Sequence, residues 1–204
     1  MKNDPSKLEK LENLIEHFLP IQKWGFRKSS AFFSGNAPDV SEDVRTPRFP
    51  TIIYNSKYCR IKFLVGNEGY LDHLKVYYGR LHASDDERTM MWNGEECYCW
   101  HWDIPTLLLK FLDGKSPQEA ANLRVTHPKR LQAFFDLELD KTVEQPEFVA
   151  RYHAAIWENY NTDLLEIFDL HHPELWENYA AFTKDYYNIV GMPPNITPLW
   201  CKIC

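Results

Sequence analysis

The stretch YCRIKFLV, residues 58–65, alternates in residue type: Cys59, Ile61, Phe63 and Val65 fall on one side of an extended chain, Tyr58, Arg60 and Lys62 on the other. Successive side chains of a strand point to opposite faces, so this pattern marks a strand with one buried and one solvated face. HLKVYYGRL, residues 73–81, repeats it, with Leu74, Val76 and Tyr78 set against Lys75 and Tyr77. A third segment, TMMWNGEECYCWHW at 89–102, carries Asn93-Gly94 between two β-prone runs. A type I′ turn needs positive φ at both central residues, which this dipeptide tolerates, so the segment reads as a hairpin. Together these runs predict an antiparallel meander of four to five strands across about residues 50–102.

On both sides of the meander the period changes from two to that of a helix. Leu8, Leu11, Leu14, Ile15, Phe18 and Leu19 form one stripe, with Asp4 placed as N-cap and Pro5 as first helical residue. Between Gly25 and Pro50 the chain is rich in Ser, Gly, Pro, Arg and Asp; its AFF centre at 31–33 has the composition of a short strand, and 34–48 reads as a loop. After the meander, Asp103 and Pro105 open a helix that carries Leu107, Leu108, Leu109, Phe111 and Leu112 and stops at Gly114. Ser116, Pro117 and Glu119 then form a capping box. Helical spacing of apolar residues continues over roughly 127–140, 146–169 and 173–190, the last opened by Pro173 and closed by Gly191. IWENY at 156–160 and LWENY at 175–179 echo each other; with no third copy this is two helices meeting one core in the same way, not a solenoid.

The expected class is therefore α+β: an N-terminal helix in 1–24, an antiparallel sheet region in 25–102, a mostly α-helical half in 103–191 and an extended, proline-bearing tail in 192–204. A length of 204 residues fits one domain with a sizeable core. An aromatic fraction of 15%, with seven Trp and eleven Tyr, argues against disorder. Of the net charge of −6, all the excess belongs to the second half: residues 1–102 carry 14 basic and 14 acidic side chains, residues 103–204 carry 9 and 15. Such a surface disfavours nucleic acid and favours basic partners. The amphipathic, charged start is not a signal peptide, and no apolar run is long enough to span a bilayer, so the expectation is a cytoplasmic protein with no membrane association. Its five cysteines are then expected to stay reduced.

Few patterns point to chemistry. As a strand, residues 95–102 put Cys97, Cys99 and His101 on one face, with same-face Cα atoms about 6.6 Å apart, which strains a Cys97–Cys99 disulfide. The chain ends in WCKIC, and Cys201 and Cys204 have a spacing that zinc favours. Cys97, Cys99, His101, Cys201 and Cys204 are thus the candidate metal set, and the alternative is that these cysteines serve as small buried hydrophobes. Asp169, His171 and His172 in DLHHPE lack the i, i+4 spacing of helical metal ligands; His172 reads as the residue before the helix-opening Pro173. No phosphate loop, dinucleotide fingerprint or nucleophile elbow is present. An enzyme would need a deep pocket, for which Arg80, His82 and His101 are the candidates to line it.

The solvated side of the meander offers a basic and aromatic patch of Tyr58, Arg60, Lys62, Lys75, Tyr77 and Arg80, chemistry suited to stacking and to binding anions. The helix–meander–helix layout is similar, at class level only, to bacterial immunity and inhibitor proteins. With no catalytic motif and many aromatic residues, the expected function is that of a non-enzymatic binding protein, inhibitor- or immunity-like, whose partner is another protein and which needs no cofactor. The alternatives are a zinc-binding protein built on Cys97, Cys99, Cys201 and Cys204, or an enzyme of unknown class.

Overall fold

Alternation over residues 58–65 and 73–81 produces the sheet it implies. A computed structural model of the chain describes residues 5–34, 49–67, 70–80, 90–92, 95–97, 104–122, 128–137, 144–169 and 171–191. Strands β1 (Arg27–Ser34), β2 (Phe49–Asn55), β3 (Cys59–Asn67) and β4 (Tyr70–Arg80) form an antiparallel sheet in sequence order. Cys59, Ile61 and Phe63 of β3 and Leu74, Val76 and Tyr78 of β4 are buried, as the alternation requires. The sheet starts earlier than residue 50, because the AFF segment belongs to an eight-residue strand whose Ala31 pairs with Ile52. Strands β5 (Met90–Trp92) and β6 (Glu95–Cys97) pair with each other, Trp92 opposite Glu95, in a ribbon of their own. The Asn93-Gly94 dipeptide between them lies outside the described residues, as do Asp4, Asp103 and the tail 192–204.

Helix α1 (Pro5–Phe18) buries Leu11 and Ile15, one turn apart, against β2. A 3-10 turn at Ile21–Trp24 follows and buries Ile21 and Trp24. The helical half comprises α2 (Ile104–Leu112), α3 (Pro117–Asn122), α4 (Gln132–Phe135), α5 (Gln145–Ile167) and α6 (Pro173–Val190). Helix α5 lies beside α1 and packs on β4, while α6 packs on α2, α3 and α5. Buried side chains from α1, the sheet and the helical half form one continuous core.

Local signals set the helix ends. Ser116 and Glu119 close the capping box in both directions: the Glu119 amide donates to Ser116 Oγ (3.2 Å), and the Ser116 amide donates to Glu119 Oε2 (2.9 Å). That backbone hydrogen bond, with the one from the Ser116 hydroxyl, holds the Glu119 carboxyl below its ordinary range. Gly114 and Gly191 stop α2 and α6 in the left-handed region, with φ of 72° and 69°, which residues with a Cβ adopt only at a cost. The two WENY segments share a buried tyrosine, Tyr160 and Tyr179, but not a buried tryptophan: Trp157 is fully enclosed, whereas Trp176 is half-buried against Phe168 and Tyr179.

Trp157 sits where the layers meet. Its ring stacks on Trp24 (5.8 Å between centroids) and meets Phe26 edge-on (5.0 Å) and Tyr78 (6.0 Å). At the start of the same helix, the Gln145 side chain acts as a short extra strand: Leu74 donates its amide to Gln145 Oε1 (2.9 Å), and Gln145 Nε2 donates to the Leu74 carbonyl (3.3 Å). An edge strand exposes backbone groups to pairing with other chains, and Gln145 covers two of them on β4. Under α1, Tyr54 is 2% exposed, and its hydroxyl has no hydrogen-bond partner among the described residues. Burial, together with the charges of Glu12 and Glu16, pushes this hydroxyl up to about 12, so it stays neutral.

Two stability outcomes follow. Trp157→Ala is expected to remove about 3–5 kcal/mol, visible as a large fall in the urea midpoint, because the cavity opens between the sheet and α5. Tyr54→Phe deletes an orphaned hydroxyl at constant shape and is expected to raise stability by about 1 kcal/mol, or a melting temperature gain of roughly 2–4 °C. A decrease in melting temperature would mean that the Tyr54 hydroxyl has a partner after all.

Candidate binding surfaces and buried polar clusters

The outer face of the sheet consists of three cross-strand rows: Arg27, Asn55, Arg60 and Gly79; Ser30, Ile53, Lys62 and Tyr77; Phe32, Thr51, Leu64 and Lys75. These rows hold four basic residues and no acidic one. Of the residues marked by the sequence, the register thus brings together Arg60, Lys62, Lys75 and Tyr77, with Lys62 directly opposite Tyr77. It adds Arg27, which the polar character of β1 concealed. Arg60 donates from Nε to Asn55 Oδ1 (3.0 Å), and Arg60, Lys62 and Lys75 are all half-buried. Thr51, in the middle of the third row, is fully buried, so this face is not an open plane.

Tyr58 and Arg80 take other positions. Arg80 pairs with Cys59, a register position of the buried face. Tyr58 lies in the β2–β3 turn, where the Ser56 hydroxyl accepts from the Cys59 amide (3.0 Å) and donates to the Cys59 carbonyl (3.1 Å). This turn carries the Tyr58 ring to the α5–α6 corner, edge-on to His171 (6.4 Å) and beneath the Lys57 ammonium (4.6 Å). Asp169 anchors the corner by accepting the His171 amide (2.9 Å). Burial pushes the Asp169 carboxyl up, but the His171 amide, the Tyr58 hydroxyl and the imidazoles of His171 and His172 outweigh this and leave it lowered. The DLHHPE segment is therefore a helix-to-helix corner, tied by Asp169 to the sheet's hairpin.

Cys97 pairs with Met90 at the end of β6, while Cys99, His101, Cys201 and Cys204 lie outside the described residues, as does His82. Among the described residues, no group of three or more His, Cys, Asp or Glu side chains is arranged to hold a metal ion. The fifth cysteine, Cys59, is completely buried, and its thiol donates to the Arg60 carbonyl (3.6 Å).

Two polar clusters that periodicity did not foreshadow join distant elements. In the first, Trp157 Nε1 donates to the Tyr78 hydroxyl (3.3 Å), which lies 2.5 Å from His153 Nδ1. Because the Tyr78 oxygen accepts from the indole, its own proton is available for Nδ1, which leaves the imidazole neutral with its proton on Nε2. Burial pushes His153 down to about 3; burial, with smaller contributions from Cys59 and Tyr152 and against the opposing Trp157 hydrogen bond, holds Tyr78 well above its ordinary value. Tyr78 is 3% exposed and His153 5%, so solutes do not reach this chain of hydrogen bonds. It satisfies buried polar atoms of the sheet and α5.

The second cluster surrounds Asp113. Tyr160 donates its hydroxyl to Asp113 Oδ1 (2.9 Å), the Lys129 amide donates to Oδ2 (2.6 Å), and Arg130 Nε lies 3.6 Å from Oδ1. Arg130 also pairs with Asp163, donates to the Asn159 carbonyl (3.3 Å) and lies over the Tyr160 ring (4.6 Å). Its charge is spent on joining the end of α2, the turn before α4 and α5. Nearby, Lys110 is 6% exposed and donates to the Ala120 carbonyl (3.2 Å), and burial lowers its ammonium from the ordinary value.

A different surface lies on α4 and the start of α5. Phe134 meets Phe135 (5.3 Å), Phe148 (5.7 Å) and Tyr152 (5.7 Å), and Phe135 meets Tyr152 (5.8 Å). Phe134 is the buried base of this group, while Phe148 is 36% exposed and Leu137, two residues beyond Phe135, is 60% exposed. Among the described residues the other exposed large apolar side chains, Phe32 and Ile189, belong to β1 and α6. The 3.6-residue period from Phe148 to Tyr152 was visible in the sequence, but it reads as an ordinary core stripe. Only the position of α4 shows that its outer end meets solvent.

The pH dependence of stability tests the neutral imidazole. The folded-state value of His153 lies below its unfolded value of about 6.5, so the unfolded chain binds the extra proton. Its contribution is present above about pH 6.5 and is lost as pH falls toward 3, by up to about 1.4 kcal/mol per pH unit. Urea unfolding of the wild type and of His153→Gln between pH 7 and 5 is expected to show a shallower pH slope in the variant; equal slopes would mean that His153 is already charged in the native state.

No family model matches the chain, and neither a curated protein nor a solved structure shows significant similarity to it, so what it does has to be read from its own surface.

Proposed function

We propose that this chain is a non-enzymatic binding protein of the cytoplasm, inhibitor- or immunity-like in its mode of action. Its partner is another protein, contacted through the exposed rim of the Phe134, Phe135, Phe148 and Tyr152 cluster. The observation that carries this reading is Phe148, 36% exposed and packed on the Phe134 ring, with Leu137, two residues beyond Phe135 in the chain, 60% exposed. Isolated exposed apolar residues are common and need no explanation, but apolar surface continuous with a packed aromatic group is what interface anchors look like. Rings held by their neighbours lose little freedom on binding, which favours recognition without rearrangement. The polar clusters do not compete as sites: Trp157, Tyr78 and His153 are sealed, and Asp113 is enclosed by the groups that it accepts from. Among the described residues no helix is long and apolar enough to cross a membrane.

The test compares what the protein retains from an extract of its own cells in three forms: wild type, the double variant Leu137→Ser with Phe148→Ser, and Ile189→Ser as a control for exposed apolar residues elsewhere. A partner retained saturably by wild type and control and lost by the double variant, at unchanged circular dichroism, is the expected result. Retention of the same proteins by all three forms would remove this surface from consideration.

A further inference from the structure

The chemistry around the aromatic cluster also selects the kind of partner, on the reading that this cluster is the contact surface. We infer that it receives an amphipathic segment whose polar side is basic. Asp136 stands between Phe135 and Leu137 and is exposed; its Oδ1 accepts from Gln132 Nε2 (2.7 Å), a neutral donor. Glu144 is exposed at the start of α5, one turn before Phe148, whose amide donates to the Glu144 carbonyl (3.0 Å).

Two basic residues on the flanking elements are engaged elsewhere, whereas Lys141, between Leu137 and Glu144 in sequence, lies outside the described residues. Arg151 pairs with Glu147 (2.6 Å) and lies over the Phe18 ring (5.0 Å), which draws both charges toward α1. Arg130 is held by Asp113 and Asp163. The exposed carboxylates of Asp136 and Glu144 contribute a negative field where the chain carries Leu137 and Phe148, in the acidic half of a chain of net charge −6. Partner cations gain from this field and phosphates are repelled by it, which excludes nucleic acid and anionic lipid as occupants of this surface. A helix laid over such a patch presents apolar anchors at i, i+3, i+4 and i+7 with its basic side chains toward the two carboxylates.

Two synthetic amphipathic peptides test the inference, sharing one leucine face and differing only in a lysine or glutamate polar face. Each is titrated calorimetrically against the full chain at low and high salt. The lysine peptide is expected to bind at least roughly tenfold more tightly than the glutamate peptide, with an advantage that shrinks in salt. The double variant Asp136→Lys with Glu144→Lys is expected to abolish or reverse that preference, and Leu137→Ser with Phe148→Ser to abolish binding of both. Equal affinity for the two peptides, or no binding of either, overturns the basic partner and leaves the contact surface to be judged by retention from extract. Tight lysine-peptide binding that survives Leu137→Ser with Phe148→Ser places the site elsewhere and overturns both readings.

Discussion

Enclosing the Trp157 indole is the constraint on which the rest of the structure depends. A ring of this size with no exposure needs neighbours on every side, and Trp24, Phe26 and Tyr78 supply them from the 3-10 turn, the residue before β1, and β4. Its N–H also needs an acceptor, because a buried donor left unpaired costs about 1–3 kcal/mol. The Tyr78 hydroxyl is that acceptor, and His153, one turn earlier on the same helix, accepts the tyrosine's hydrogen bond in return. Apolar packing and polar satisfaction thus agree on a single placement of α5 against the sheet. Such agreement between levels separates one native arrangement from its competitors.

Once α5 is placed, other contacts follow from its length. Its first residue, Gln145, reaches the backbone of β4, and Tyr160, one turn beyond Trp157, reaches Asp113 at the end of α2. Its last residues lead into the corner where Asp169 meets the β2–β3 turn, so the helix meets the sheet at its start and middle, while Tyr160 joins it to the helical half. Exposed pairs such as Lys23 with Glu158 add little, since solvent screens them. The strongly perturbed groups, His153 and Tyr78, belong to this scaffold. Perturbed protonation marks functional sites only where solutes have access, and here they do not.

Function is therefore sought at the surface, and the scaffold shapes what is found there. Phe148 and Tyr152 occupy the first turns of α5, before the helix passes under the sheet, and α4 stacks Phe134 and Phe135 on them from outside the main core. The same helix that buries Trp157 at its centre presents aromatic rings at its start. The register of the sheet sets Arg27, Arg60, Lys62 and Lys75 on its outer face, a second charged feature among the described residues.

Local features of the chain were legible from residue order alone. The buried face of β3 and β4, the capping box of Ser116 and Glu119, and the glycine stops at 114 and 191 each depend on a few consecutive residues and on backbone geometry that those residues prefer. Strand β1 was legible only in its AFF centre, because Arg27, Lys28, Ser29 and Ser30 carry no alternation. Of the six residues read as a patch, the register sets Arg60, Lys62, Lys75 and Tyr77 on one face, while Tyr58 falls in the turn around Ser56, one residue before β3, and Arg80 at the register position opposite buried Cys59. What tertiary structure alone decided is which periodic stripe meets which. WENY occurs twice, yet only the first copy has a fully buried tryptophan, since only Trp157 faces Tyr78, Phe26 and Trp24. Periodicity records that a face is apolar and is written in neighbouring residues, whereas the partner that covers the face comes from far along the chain, and no local preference encodes that choice.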